Sequence, residues 1–228
     1  MNTALLSLLQ LSDPTLPIGG FSHSSGLETY VQMGLVNNAA TAKSFITEML
    51  SQNLRYTDAS FVSLAYDATM ANDLEELLNL DAECNAVKLP KEMRQASQKL
   101  GARLLKIFVD YCDSDILNQL KKAIDDKIAD GHYCIAFGII AAIQHIEKQE
   151  ALTGFYYNAA MGMITNSVKL IPLGQQDGQK LLFEIKPLIQ ELVEQSLHPD
   201  KEMIGFCCTG FDIRCMQHED LYSRLYMS

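Results

Sequence analysis

The sequence predicts an all-α chain, a single-domain helical bundle of roughly ten helices with no significant sheet. Three observations carry that reading. Apolar residues recur with a period near 3.6 in nearly every segment, and no segment alternates apolar and polar residues between turn signals. One stretch, HYCIAFGIIAAIQHI (132–146), is apolar nearly all round, as a helix enclosed by other helices must be.

In chain order, Leu5, Leu8 and Leu9 form the first stripe, which Ser12 and Pro14 stop. The stretch SDPTLPIGGFSHSSGLE (12–28) then breaks the period with prolines and glycines. Within it Ser25-Gly-Leu-Glu28 matches a capping box, in which the Ser25 hydroxyl and the Glu28 carboxylate satisfy free N–H groups at a helix start. Phe45, Ile46, Met49 and Leu50 make the next stripe, followed by Phe61, Val62, Ala65 and Tyr66.

Pro90 suits a first helical turn, where its missing N–H costs nothing. The helix it opens places Met93, Ser97, Leu100, Leu104 and Phe108 on one side and is polar on the other, so it lies at the surface. The 132–146 helix is predicted to be central. Another apolar helix runs from about Leu152 to Leu170, and the loop 171–179 follows, with Gly174 and Gly178 supplying turns. The last long helix carries Leu181, Leu182, Ile185, Ile189, Leu192 and Val193, with a kink expected at Pro187. No fixed-period repeat, low-complexity tract or long linker divides the chain, so residues 1–228 read as one domain.

Composition excludes several function classes. The 28 acidic residues against 18 basic ones give a net charge of −10, which repels an extended phosphate backbone. Nucleic acid is therefore not an expected partner. No apolar run is long enough to span a bilayer, and MNTALLSLLQLSD lacks the basic region and cleavage site of a secretory signal. Six cysteines without CxxC spacing read as reduced, mostly buried thiols, which points to the cytoplasm.

The motifs bearing chemistry are few. Gly19, Gly20 and Gly26 do not make GxGxxG, and a phosphate loop would also need a preceding strand and a lysine. His23 among Ser22, Ser24 and Ser25 suggests a hydrolase nucleophile, but adjacent residues rarely present nucleophile and base in the right geometry. His132, His145, His198 and His218 show no HxxxH or HExxH spacing. Cys207-Cys208 is the best metal candidate on ligand softness, although adjacent side chains diverge. A nickel carrier using Cys207, Cys208 and His218 thus stands as an alternative to a scaffold, with a Ser/His hydrolase behind it.

Two regions read as partner surfaces. Phe21 and His23 stand in a glycine-loosened polar turn, where an exposed aromatic makes an anchor. The segment after Pro199 is too apolar for a solvated end and must pack, either on its own domain or on a second protein. Residues 199–228 are accordingly expected to be a partner-docking tail, in which Arg224, Leu225 and Tyr226 combine a fork of donors with apolar anchors.

Four ordered stretches, SDPTLPIGGFSHSSGLE (12–28), RQASQKLGARLL (94–105), VKLIPLGQQDGQ (168–179) and MQHEDLYSRLYMS (216–228), resemble the urease accessory protein UreF family. His23 and Ser25 depart from that family's pattern. The resemblance implies an all-helical, non-enzymatic, dimeric assembly factor. Such a protein binds an accessory partner, UreD (or UreH), and with it recruits the GTPase UreG to deliver nickel to apo-urease. It also extends the partner-binding set to Ser22, Glu28, Lys169, Gln175, Arg214, His218 and Glu219, and implies no catalytic residue, no cofactor and no metal ligand. Glu28 and Lys169 are expected on the side facing UreG.

Overall fold

The computed structural model describes residues 3–206 and 208–227, and in them the chain is helical without a strand. The helices are α1 (Ala4–Leu11), α2 (Leu27–Gln32), α3 (Ala39–Glu48), α4 (Asp58–Met70), α5 (Leu74–Val87), α6 (Lys91–Phe108), α7 (Asp115–Asp125), α8 (Tyr133–Ile143), α9 (Lys148–Leu170), α10 (Gln175–Ser196) and α11 (Thr209–Gln217). A π-helical turn, Met49–Leu54, continues α3.

The apolar 132–146 stretch is the centre, as its composition demands. Nine residues of α8 are buried, and α4, α6 and α9 pack around it. Gly138 sets the closeness of the α4 crossing: a Cβ there would lie 2.5 Å from the Val62 carbonyl oxygen, so only hydrogen fits. Phe137 and Phe155 meet edge to face at 5.0 Å, and Tyr133 stacks on Phe155.

The start of α8 is fixed by a charge. Asp81, buried in α5, accepts the backbone N–H groups of Asp130, Gly131 and His132 at 2.6, 3.1 and 2.9 Å. Three otherwise unsatisfied donors are thereby paired in the interior. The His132 ring is fully buried between the Ser97 hydroxyl (3.1 Å) and Asn85 Oδ1 (3.4 Å).

Several elements differ from the sequence expectation in instructive ways. Leu5 and Leu9 of α1 remain 60% and 59% exposed, and it is Leu11 that enters the core. Gly178 supplies no turn; it lies inside α10, packed closely against Ile164 and Val168 of α9, while Gly174 precedes the helix. α10 runs unbroken through Pro187, whose ring faces solvent.

The Ser25–Glu28 capping box does not form. Ser25 and Gly26 both adopt left-handed backbone (φ 54° and 80°), Gly26 takes the N-cap position, and no side chain at that position caps the helix. Gly26 is required there twice over, because a Cβ would also collide with Phe211 and Cys215 of α11. The Ser24 hydroxyl receives the Glu28 N–H instead, at 3.4 Å, and the Glu28 side chain is left for another task.

Candidate functional site

That task is to hold the end of the chain. The Glu28 side chain, 4% exposed, accepts the backbone N–H of Leu225 on Oε1 (2.7 Å) and that of Tyr226 on Oε2 (3.1 Å). His218 is buried beside it, its Nε2 at 3.2 Å from Glu28 Oε2 and its Nδ1 at 2.7 Å from Glu92 Oε2. Arg224 completes the group by donating to Glu92 Oε1 at 2.8 Å. Two carboxylates, one imidazole and one guanidinium thus meet in a single polar clasp.

The tail is laid across α2 and α6 beside the opening loop. Gln32 Nε2 donates to the Ser223 carbonyl (2.8 Å), and the Met227 N–H donates to the Ser22 carbonyl (2.9 Å). Tyr226 turns inward and is buried, while Leu225 and Met227 stay 67% and 58% exposed. Phe21, on the loop that Met227 bonds, is 71% exposed. A loop near one end of the chain and a tail near the other thus present one composite surface.

Beneath the loop lies a cavity of about 300 Å³. Leu16, Met49, Phe155 and Met163 supply apolar wall, and Phe21, His23 and Lys169 also line it. Two of its polar residues, Lys88 and Asp58, form an ion pair at 2.7 Å with only 12% and 15% of their side chains exposed. Burial penalises both charges, but each holds the other ionised: the Asp58 carboxyl sits below its ordinary value and the Lys88 ammonium above its own. His23 is held below the usual imidazole range by burial and by Lys99 and Arg103, with Glu92 opposing. Asn166 of α9 fixes the loop by donating to the His23 carbonyl at 2.9 Å.

The structure therefore brings together Phe21, Ser22, His23, Glu28, His218, Arg224, Leu225 and Tyr226, with Lys169 exposed on the same cavity. Arg214 lies in α11, partly buried and 3.4 Å from Gln217 Oε1. Gln175, in the first turn of α10, and Glu219, beside His218, are exposed and make no hydrogen bond to the clasp among the described residues. His218 and Tyr226 point inward, so in this chain neither is an accessible contact residue. The tail packs on its own domain.

Sequence reasoning missed four residues. Glu92 looks like an ordinary acid in the first turn after Pro90, and nothing local links it to residue 218. The Asp58–Lys88 pair joins residues 30 apart with no motif between them. Asp81 carried a readable signal: a carboxylate on the apolar face shared by Leu77, Leu80 and Cys84 has to find buried donors.

The nickel-carrier set of Cys207, Cys208 and His218 is described only in part. Cys207 lies outside the described residues, and His218 is already engaged by two carboxylates. Among the described residues no group of three or more His, Cys, Asp or Glu side chains is placed to hold a metal ion. Among them, too, no helix is long and apolar enough to cross a membrane.

Comparison with known proteins places these features in context. A family model described as UreF matches residues 36–186. A urease accessory protein UreF of Actinobacillus pleuropneumoniae serotype 5b (strain L20) is 49% identical over 222 residues, covering 97% of this chain and 98% of that protein. The protein of the same name from Haemophilus influenzae (strain ATCC 51907) is 47% identical over 226 residues, 99% and 96% of the two chains. That of Bacillus sp. (strain TB-90) is 37% identical over 224 residues, 98% and 99%.

Proposed function

Because the chain belongs to the UreF family of urease accessory proteins, we propose that it serves urease maturation as a scaffold, binding a UreD/UreH-like partner and with it recruiting a UreG-like GTPase for GTP-dependent nickel insertion into apo-urease. In this reading it works in the cytoplasm as a homodimer and catalyses no reaction itself.

The observation that best supports the reading is the composite surface. Phe21, Leu225 and Met227 are large apolar side chains held exposed on backbone that is itself hydrogen-bonded into place. Exposed anchors on an ordered frame are what a protein interface needs, since less freedom is lost on binding. Lys169 and the Glu92–Arg224 pair add charge of both signs at its edge, which orients a partner more than it adds affinity.

The test is co-purification with the UreD/UreH-like partner and the UreG-like GTPase, followed by urease activation. Glu28→Gln, which removes the charge that gathers the tail, and Lys169→Ala should each lower GTPase recruitment and activation while the helical fold persists. Normal recruitment, GTP turnover and activation in both variants would reject the proposal.

A further inference from the structure

Two thiols the scaffold does not use lie against each other in the core. Cys84 Sγ on α5 and Cys134 Sγ on α8 are 3.5 Å apart, and both residues are fully buried. The buried Cys112 differs: its sulfur receives the Gln144 side-chain N–H instead of facing a second thiol.

From this juxtaposition we infer that Cys84 and Cys134 are a redox-active dithiol, oxidised by a small hydroperoxide to a disulfide that staples α5 to α8.

The surroundings favour the reaction. His132, held between Ser97 and Asn85, and the Lys88 ammonium both favour the Cys84 thiolate. Burial raises the Cys84 thiol, but the Cys134 hydrogen bond and the neighbouring Lys88 and His132 outweigh it and hold Cys84 below the ordinary thiol range. Cys134, pushed up by burial and by its anionic neighbour, keeps its proton and donates it. One member of the pair is thus the nucleophile and the other the resolving thiol.

Lys88 and Ser97 line the cavity beneath the opening loop, and Ser97 is hydrogen-bonded to His132. These residues connect the surroundings of Cys84 to the cavity, and a small oxidant is expected to enter from that side by local opening.

In the first step the Cys84 thiolate attacks the hydroperoxide, a sulfur–oxygen bond forms and the O–O bond breaks. Cys84 becomes a sulfenic acid, and the alkoxide or hydroxide that leaves takes up the proton Cys84 had released. In the second step Cys134 loses its proton and attacks Cys84 Sγ; the S–S bond forms, the S–O bond breaks, and hydroxide leaves with that proton as water. Two thiols and one hydroperoxide give a disulfide, an alcohol or water, and one further water, the two sulfurs supplying the two electrons. From 3.5 Å the sulfurs have about 1.5 Å to close.

The experiment treats the folded full-length chain with hydrogen peroxide, quenches it, and maps thiols by alkylation, proteolysis and mass spectrometry. The expected product lacks the mass of two hydrogens, contains a Cys84–Cys134 cross-link, keeps its helical circular dichroism and is reversed by dithiothreitol. Cys84 should be consumed at least about tenfold faster than the buried Cys215, whose thiol burial holds well above its ordinary value. Cys134→Ser should stop at a Cys84 sulfenic acid that dimedone traps after quenching, and Cys84→Ser should yield neither product. The inference is overturned if wild-type protein forms no Cys84–Cys134 cross-link, if the link appears only after unfolding, or if Cys84 reacts no faster than Cys215.

Discussion

Two buried carboxylates in this molecule do the same thing with opposite consequences. Asp81 gathers three backbone N–H groups at the start of α8, and Glu28 gathers two from the tail. Asp81 faces the core: Gly131 and His132, two of its three donors, are buried, and α8 contributes nine buried residues. Around Glu28 the gathered strand is flanked by exposed Leu225 and Met227 and by a fully exposed Tyr222. The polar accounts differ as well. Among the described residues, the buried side-chain atoms without a hydrogen-bond partner are Ser12 Oγ after α1 and three on α2 or in the last helix and tail: Thr29 Oγ1, Arg214 Nε and Tyr226 Oη. The same chemistry should therefore hold the start of α8 more firmly than it holds the tail.

The largest effect that can test this contrast is Asp81→Ala. Leaving three N–H groups unpaired in the interior should cost about 3–5 kcal/mol of global stability, read by denaturant titration. Glu28→Ala should cost clearly less, because the tail can take its N–H groups into water. Equal losses would show that the clasp belongs to the core.

Removing Lys88 comes next. Lys88→Met leaves the buried Asp58 carboxyl without its counter-charge, at a cost of about 3 kcal/mol or more. The same pair fixes an acid limb: Asp58 titrates below its ordinary 3.8 in the folded chain. Its stabilisation is therefore complete above about pH 4 and is lost as pH falls through the folded value. Asp58→Asn should flatten the stability profile in that acid window, and an unchanged profile would assign the limb elsewhere.

A smaller, local change is expected from Glu28→Gln. Amide exchange at Leu225 and Tyr226 should quicken by roughly tenfold or more, equivalent to about 1.4 kcal/mol of local opening, while α8 amides keep their protection. If α8 loosens in step, the two regions open as one unit. The smallest effect on the isolated chain belongs to Leu225→Ser, within about 0.5 kcal/mol because the side chain is solvated. Its consequence should appear in capture of the UreD/UreH-like partner, and undiminished capture would remove Leu225 from that surface.

The helical architecture was legible because it rests on local repetition. The all-round apolarity of 132–146 identified the central helix, and Pro90 marked the start of α6. The candidate site was legible only in part. Phe21 and the tail residues stood out by composition, but the link between Glu28 and residues 225–226 follows from no local pattern. The capping-box reading failed for a related reason: Ser25-x-x-Glu28 has the right residues, and the left-handed pair Ser25-Gly26, imposed by the approach of α11, takes the backbone elsewhere. Tertiary contact overrode a correct local signal.

The Glu28–tail contacts span 197 and 198 positions of sequence. Closing so long a loop is entropically expensive, and a chain reaches its folding transition state through nearer contacts. The clasp therefore condenses on the downhill side of the barrier, after the helices around α8 have assembled. Substitutions in it should leave the refolding arm of a chevron where it is and move only the unfolding arm. Its strength can thus drift toward whatever a partner requires without slowing the production of folded protein.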